Sequence, residues 1–160
     1  MTDQPMLLRP DDHADRAPDS AAVVVPATGQ QISYRTMVDQ SKRLANVFRS
    51  HGLQPGDHIA IFMTNVPAYF EVVWAARRAG YFYTAVNWHL TPGEVRYMLE
   101  NSQSKALIVS ADLADRLLPV ADRALQGART ISFTGELPRL PSGKMLRRLL
   151  MDRYRQDQSV

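Results

Sequence analysis

The sequence predicts an α/β fold, a partial three-layer parallel sheet with helices on both faces. Two observations carry this. From Tyr34 onward, helical and strand-like segments alternate in the order α, β, α, β, α, β, α, which is the pattern of parallel strands joined by right-handed helical crossovers. The strand-like runs, His58–Met63 (HIAIFM) and Ala106–Ser110 (ALIVS), are apolar at nearly every position. Strands buried on both faces look like this, whereas strands with one wet face alternate.

Each element has a local reason. Residues 1–20 read as a lead-in with a short helix around Asp11–Arg16. Two β-prone runs, Ala22–Val25 and Ile32–Tyr34, flank Pro26-Ala27-Thr28-Gly29-Gln30 and predict a β-hairpin. Ser33 suits the N-cap of a helix over Tyr34–Ser50, whose Met37, Val38, Leu44, Val47 and Phe48 recur at helical spacing. Gly52 stands where a helix-ending glycine belongs. The turn Pro55-Gly56-Asp57 feeds the first apolar strand. Asn65-Val66-Pro67 opens the next helix, with proline in its first turn, and Gly80 closes it. Phe82–Val86 reads as the second strand. Thr91-Pro92-Gly93-Glu94 is a capping box with proline at the first helical position, predicting a helix over Pro92–Asn101. Ala106–Ser110 is the third strand and Asp112–Leu125 an amphipathic helix; Ile131-Ser132-Phe133 could add one more strand.

Composition narrows the class. At 160 residues, with 45% apolar and 22% charged residues, the chain is long enough for a domain with a proper core and is not disordered in composition. There is no cysteine, hence no disulfide, thiolate metal site or cysteine nucleophile. No apolar run approaches the ~18 residues that a membrane span needs, and the acid- and proline-bearing amino terminus lacks a signal-peptide core. A cytoplasmic location is the expectation. The net charge is +3, but residues 136–155 alone carry +4, so the basic character is confined to the tail. That shift, together with the loss of the βα rhythm, places a boundary near residue 130.

Several candidate motifs have plain structural explanations. Neither GxGxxG nor GxxxxGK[ST] occurs, and the eight glycines stand singly, so a glycine-rich phosphate cradle is absent from the sequence. His13, His51, His58 and His89 have no histidine partner at helical metal-pair spacing, and structural roles are favoured for each; Asp11-Asp12-His13 reads as a solvated acidic stretch. Tyr81, Phe82, Tyr83 and Trp88 read first as sheet and core packing and second as a substrate-pocket wall. Asn87 could orient a ligand or cap a turn.

The sharpest feature is Leu137-Pro138-Arg139-Leu140-Pro141-Ser142-Gly143-Lys144-Met145-Leu146-Arg147-Arg148. Two prolines stiffen the approach, Ser142-Gly143 makes a turn that presents Lys144, and Leu146, Leu149 and Leu150 give the following helix one apolar face. By chemistry, Lys144 is a cation aimed at an anion such as a phosphate or carboxylate. The alternatives are an ordinary surface turn and a nucleic-acid patch of Arg139, Lys144, Arg147 and Arg148; no aromatic residue interleaves with that patch before Tyr154.

This segment resembles the carboxy-terminal motif of the adenylate-forming (AMP-binding) superfamily, in particular acyl-CoA synthetases and fatty-acid–CoA ligases. Ile32-Ser33-Tyr34, Gly52-Leu53-Gln54-Pro55-Gly56-Asp57, Asn65 and Ala85-Val86-Asn87-Trp88-His89-Leu90-Thr91-Pro92-Gly93-Glu94 resemble the opening of the same family's large domain. The resemblance implies an acid–thiol ligase using ATP, Mg2+ and CoA on a carboxylic or fatty acid, with Lys144 catalytic and Ser142 and Gly143 as its supporting turn. It also implies an internal truncation. Residues 1–130 would be the amino-terminal part of the large domain, and residues 131–160 a strand–loop–helix remnant of the small domain. The family's phosphate loop and ribose-binding aspartate would be missing between them, so that ATP and CoA are not held by this chain alone. Further expectations are a non-catalytic role through self-association, or pairing with a related synthetase across open sheet edges. Nucleic-acid binding ranks last.

Overall fold

The structure is a computed structural model and describes residues 9–124 and 129–133. The element order is α1 (Pro10–Arg16), β1 (Ala21–Val25), β2 (Gln30–Ser33), α2 (Tyr34–Ser50), β3 (His58–Phe62), α3 (Ala68–Ala79), β4 (Phe82–Ala85), α4 (Pro92–Ser102), β5 (Ala106–Ser110), α5 (Ala111–Ala124) and β6 (Arg129–Phe133). The predicted α/β class and parallel sheet are what is observed. The chain divides into two compact units. One holds α1, the β1–β2 hairpin, α2 and α3; the other holds β3–β6 with α4 and α5.

In the first unit the hairpin is antiparallel, with a register irregularity between Ala21 and Val23. The side chain of Ser33 accepts from the Thr36 backbone N–H at 3.2 Å, so the predicted N-cap starts α2. His51 ends that helix, its ring Nδ1 lying 2.8 Å from the Val47 carbonyl oxygen. Gly52 follows at φ 81°, the left-handed region that a side chain would disfavour. Helix α2 buries Met37, Val38, Leu44, Ala45 and Phe48, and packs with α3, which buries Val72, Ala75, Ala76 and Ala79.

Helix α3 begins one residue later than the sequence suggests. Pro67 is its N-cap, at φ −54° and ψ −34°, and Ala68 is the first helical residue. Proline has the φ of a helix but no N–H, so the first turn is closed by Tyr69 and Phe70, which donate to the carbonyls of Val66 and Pro67. Gly80 closes the helix in the left-handed conformation. A guanidinium ties this unit together. Arg78 donates to both oxygens of Asp11, at 2.8 and 2.7 Å, and to the hydroxyl of Ser41 at 3.2 Å, joining α3, α1 and α2. That bond holds the Asp11 carboxyl below its usual range. The His13 ring stacks on Tyr34 with centroids 4.6 Å apart.

The second unit is a four-stranded parallel sheet in the order β4-β3-β5-β6. Its register pairs Ile61 with Ala85 and Ile108, and Ser110 with Phe133. Every side chain from Ile59 to Phe62 and from Ala106 to Val109 is buried, as the unbroken apolar runs predict. Each such isoleucine or phenylalanine contributes about 1.5–3 kcal/mol by leaving water. Ala60, Phe62, Leu107 and Val109 form one cluster with Val95 and Leu99 of α4 and Leu113, Ala114 and Leu117 of α5; Trp88 and Leu90 pack at its margin. The predicted capping box is present at α4, where Thr91 and Glu94 exchange side chain–backbone bonds.

One expectation is corrected. Phe82 and Tyr83 are not core residues: they are 60% and 38% exposed. The reason is position. β4 is the edge of the sheet and only four residues long, so its alternate side chains are not covered on either face. Tyr81, just before it, is buried.

Candidate functional site

All four strands run the same way, so their carboxyl ends share one edge of the sheet. The connection from β3 leads out to β4, while the connection from β4 returns past β3 to β5. The strand order therefore reverses between β3 and β5. In open parallel sheets, ligands bind outside the carboxyl ends of the strands at such a reversal. The residues there are Thr64 after β3, half-buried, and Ser110 at the end of β5, which is 7% exposed. The Ser110 Oγ is buried with no hydrogen-bond partner among the described residues. A buried hydroxyl left in that state costs about 1–3 kcal/mol.

The loop after β4 forms a fixed wall at the same edge. Val86 donates its N–H to the Ile61 carbonyl at 2.9 Å, continuing the sheet for one residue. The Asn87 side chain accepts from the His89 N–H at 3.0 Å, and Leu90 donates back to the Asn87 carbonyl at 3.1 Å. Of the two roles open to Asn87 in the sequence, turn capping is the one the structure displays. Arg116 of α5 donates to the Trp88 and Leu90 carbonyls at 3.3 and 3.4 Å. The Trp88 and His89 rings lie 3.6 Å apart.

Charge is distributed unevenly along the strands. At the amino ends, Lys105 ahead of β5 pairs with the largely buried Asp57 ahead of β3, so that end is internally neutralised. The carboxyl edge described above offers hydroxyls and an amide already in use. It can orient a neutral or anionic group, but among the described residues it contains no pair of titratable side chains for proton transfer. Among the described residues no cluster of three acids or histidines is placed to hold a metal ion.

Lys144, Ser142 and Gly143 lie outside the described residues. β6 delivers the chain to Phe133, in register with Ser110 at the carboxyl edge. Lys144 is eleven residues further on in the sequence.

Residues 10–146, most of the chain, match the AMP-binding enzyme family. This chain belongs to that family. It is 30% identical over 111 residues to the fatty acid–acyl-carrier-protein ligase ScoC of Streptomyces coeruleorubidus, covering 69% of this chain and 20% of that protein. It is 31% identical over 111 residues to the mitochondrial acyl-coenzyme A synthetase ACSM1 of Homo sapiens, covering 68% of this chain and 19% of that one. The crystal structure of coronafacic acid ligase from Pectobacterium brasiliense superposes with a TM-score of 0.72 over 78% of this chain and 24% of that chain; at 19% identity it shows the shared fold alone. The chain thus spans about a fifth of the length of the curated relatives it matches.

Membership of the AMP-binding family implies chemistry with ATP, Mg2+ and CoA. The described residues do not fit those groups. Gly29, Gly52, Gly56 and Gly80 each serve a separate turn or helix end, so no run of backbone N–H groups is gathered for a triphosphate. Among the described residues the carboxyl edge gathers no group of acids or histidines to hold a metal.

Two buried polar groups escaped the sequence reading. Ser110 looked like the last residue of an apolar strand. Glu71 on α3 is 4% exposed, its Oε2 has no partner among the described residues, and burial pushes its carboxyl up to about 7. A lone acid inside Tyr69–Ala76, where every other residue is apolar or aromatic, was the available signal.

Proposed function

We propose that this chain descends from an acid–CoA ligase of the acyl-CoA synthetase type, shortened internally, and that it does not turn over a substrate alone. Residues 1–130 correspond in this reading to the amino-terminal part of the AMP-binding large domain. Residues 131–160 correspond to the end of the small domain, the seam falling inside β6. The observation that carries the reading is the family match, which runs from the first helix to within the lysine motif, although the part of the chain that aligns with its relatives covers only about a fifth of their length. The intervening length is where a phosphate-binding loop would have to lie, and no such loop occurs in the sequence.

Lys144 is the one residue proposed as catalytic by descent, with Ser142 and Gly143 holding its turn. Its contribution would be electrostatic, a positive charge set against developing negative charge. A single exposed ammonium in water contributes little to holding a nucleotide, because its pairing energy is of the order of 1 kcal/mol or less. The substrates of the family reading are a carboxylic acid and a thiol; the cytoplasm is the compartment expected for the chain.

The test is acid-dependent pyrophosphate release by the purified chain with ATP, Mg2+, CoA and a series of short- to long-chain fatty acids. The expected rate equals the protein-free control for every acid. Turnover above that control, abolished by Lys144→Ala, would overturn the proposal of inactivity while strengthening the assignment of the lysine.

A further inference from the structure

Helix α3 carries apolar side chains on two sides, and among the described residues only one side is fully buried. Its buried residues, Glu71, Val72, Ala75, Ala76 and Ala79, lie along one side. Phe70, Val73, Trp74 and Arg77 follow the i, i+3, i+4, i+7 spacing, and at 3.6 residues per turn that stripe lies on the opposite side. Phe70 is 48% exposed and Arg77 is exposed, while Val73 and Trp74 between them are only partly buried. A helix that is apolar all round belongs to the interior of a larger body. The neighbouring α2 shows what a finished surface looks like: its outer positions are Arg35, Thr36, Asp39, Lys42, Arg43, Asn46 and Arg49.

From this we infer that the Phe70–Val73–Trp74–Arg77 stripe is a self-docking surface, occupied by the same stripe of a second copy in an antiparallel, two-fold arrangement. The stripe is self-complementary in that direction only. Its amino-terminal end is aromatic, with Tyr69 and Phe70 in an edge-to-face contact at 6.2 Å. Its carboxyl-terminal end is cationic, and the Arg77 guanidinium already lies 4.9 Å from the centroid of the Trp74 ring. Antiparallel pairing about Val73 and Trp74 brings each Arg77 to the aromatic end of the other copy, a cation–π contact, and keeps the two arginines apart. The helix dipoles also oppose, which favours the pair. A parallel pair would set Arg77 against Arg77. The chain's own basic segment, residues 136–155 with net charge +4, is a poorer occupant because it brings Arg147 and Arg148 to a surface that already carries Arg77.

The surface is small. Twelve residues make a helix about 18 Å long, which places the interface below the roughly 1,200 Å2 of a stable complex and in the weak, reversible class. The inference does not depend on the ligase reading, since it concerns association and not turnover.

Sedimentation velocity on the full chain from about 5 to about 500 µM is the experiment. A reversible monomer–dimer equilibrium is expected within that range, with Phe70→Glu moving its midpoint at least tenfold to higher concentration. Phe82→Glu, on the exposed edge strand, should leave the midpoint unchanged. Because the chain has no cysteine, Val73→Cys gives a second readout: it should form a disulfide-linked dimer under mild oxidation, whereas Lys42→Cys on α2 should not. Sedimentation as a monomer at every concentration would overturn the inference, as would a dimer lost on Phe82→Glu and kept on Phe70→Glu. A permanent monomer whose tryptophan emission reddens on Leu149→Glu would assign the stripe to the chain's own tail instead.

Discussion

Helices α2 and α3 pack against each other in the same unit, yet one is finished and the other is not. On α2, apolar residues occupy one face and charged or amide side chains the other, so the helix needs a single covering layer. On α3 the covered face is made of small residues, Ala75, Ala76 and Ala79 beside Val72, which allow close approach. The bulky residues Phe70 and Trp74 point the other way. In an isolated small domain the reverse would be expected. The difference teaches that the two helices divide their bulk differently: among the described residues α2 buries its large side chains, whereas α3 buries its small ones and leaves Phe70 outside. The solvent-facing side of α2 and the aromatic side of α3 should therefore respond oppositely to change.

The largest contrast is in packing. Phe48 of α2 is completely buried, so Phe48→Ala should cost about 3–5 kcal/mol by removing a ring that its surroundings cannot refill. Phe70→Ala on α3 removes the same ring from a half-exposed site and should cost below about 1 kcal/mol at protein concentrations where the chain is monomeric. Urea denaturation of the two variants beside the parent chain measures both. Equal costs would mean that the outer face of α3 is covered within the chain after all.

Next comes the acid on α3. The Glu71 carboxyl is raised to about 7 by burial, above the 4.5 of an exposed glutamate. The folded chain thus holds this proton more tightly than the unfolded one. The stabilisation is fully present below about pH 4.5, declines as pH rises from there to about 7, and is gone above it. At about 1.36 kcal/mol per pH unit, this amounts to of the order of 3 kcal/mol. Glu71→Gln should flatten that dependence and make the chain more stable than the parent at pH 8, because the amide carries no charge to bury. Denaturation midpoints at pH 5 and pH 8 report it; α2, whose buried set is apolar apart from Ser41, has no counterpart.

How far these features could be read from sequence differs by element. The sheet and most helix ends were legible because their causes are local: the caps Ser33 and Thr91, the stop at Gly80, and the apolar runs of β3 and β5. Phe82 and Tyr83 were not, because β-prone aromatic residues look the same on a central strand as on an edge, and only the order β4-β3-β5-β6 decides which it is. Glu71 and Ser110 were missed for a related reason: burial of a single polar side chain is set by what packs over it from distant sequence. The lysine motif is the opposite case. It is recognisable entirely from local spacing, while Lys144 itself lies outside the described residues.

The smallest predicted effect is on the tie between the two helices. Arg78 leaves α3 and meets Ser41 of α2 and both carboxylate oxygens of Asp11 on α1, with the arginine side chain 15% exposed and the aspartate 27%. A planar fork makes this possible, and a lysine could reach Asp11 with only one donor direction at a time. Arg78→Lys keeps the charge and discards the fork. It should therefore cost about 1–2 kcal/mol, the range of one or two charge-assisted hydrogen bonds in a partly buried site. Asp11→Asn should cost a similar amount, and the double variant little more than either alone, since both changes break the same pair. Because this pair and the His13–Tyr34 stack both tie α1 to the unit, hydrogen exchange in Pro10–Arg16 should rise in either variant while exchange in α2 stays slow. Additive losses in the double variant would mean that Asp11 and Arg78 stabilise the unit through separate partners, Ser41 being the one left to the arginine.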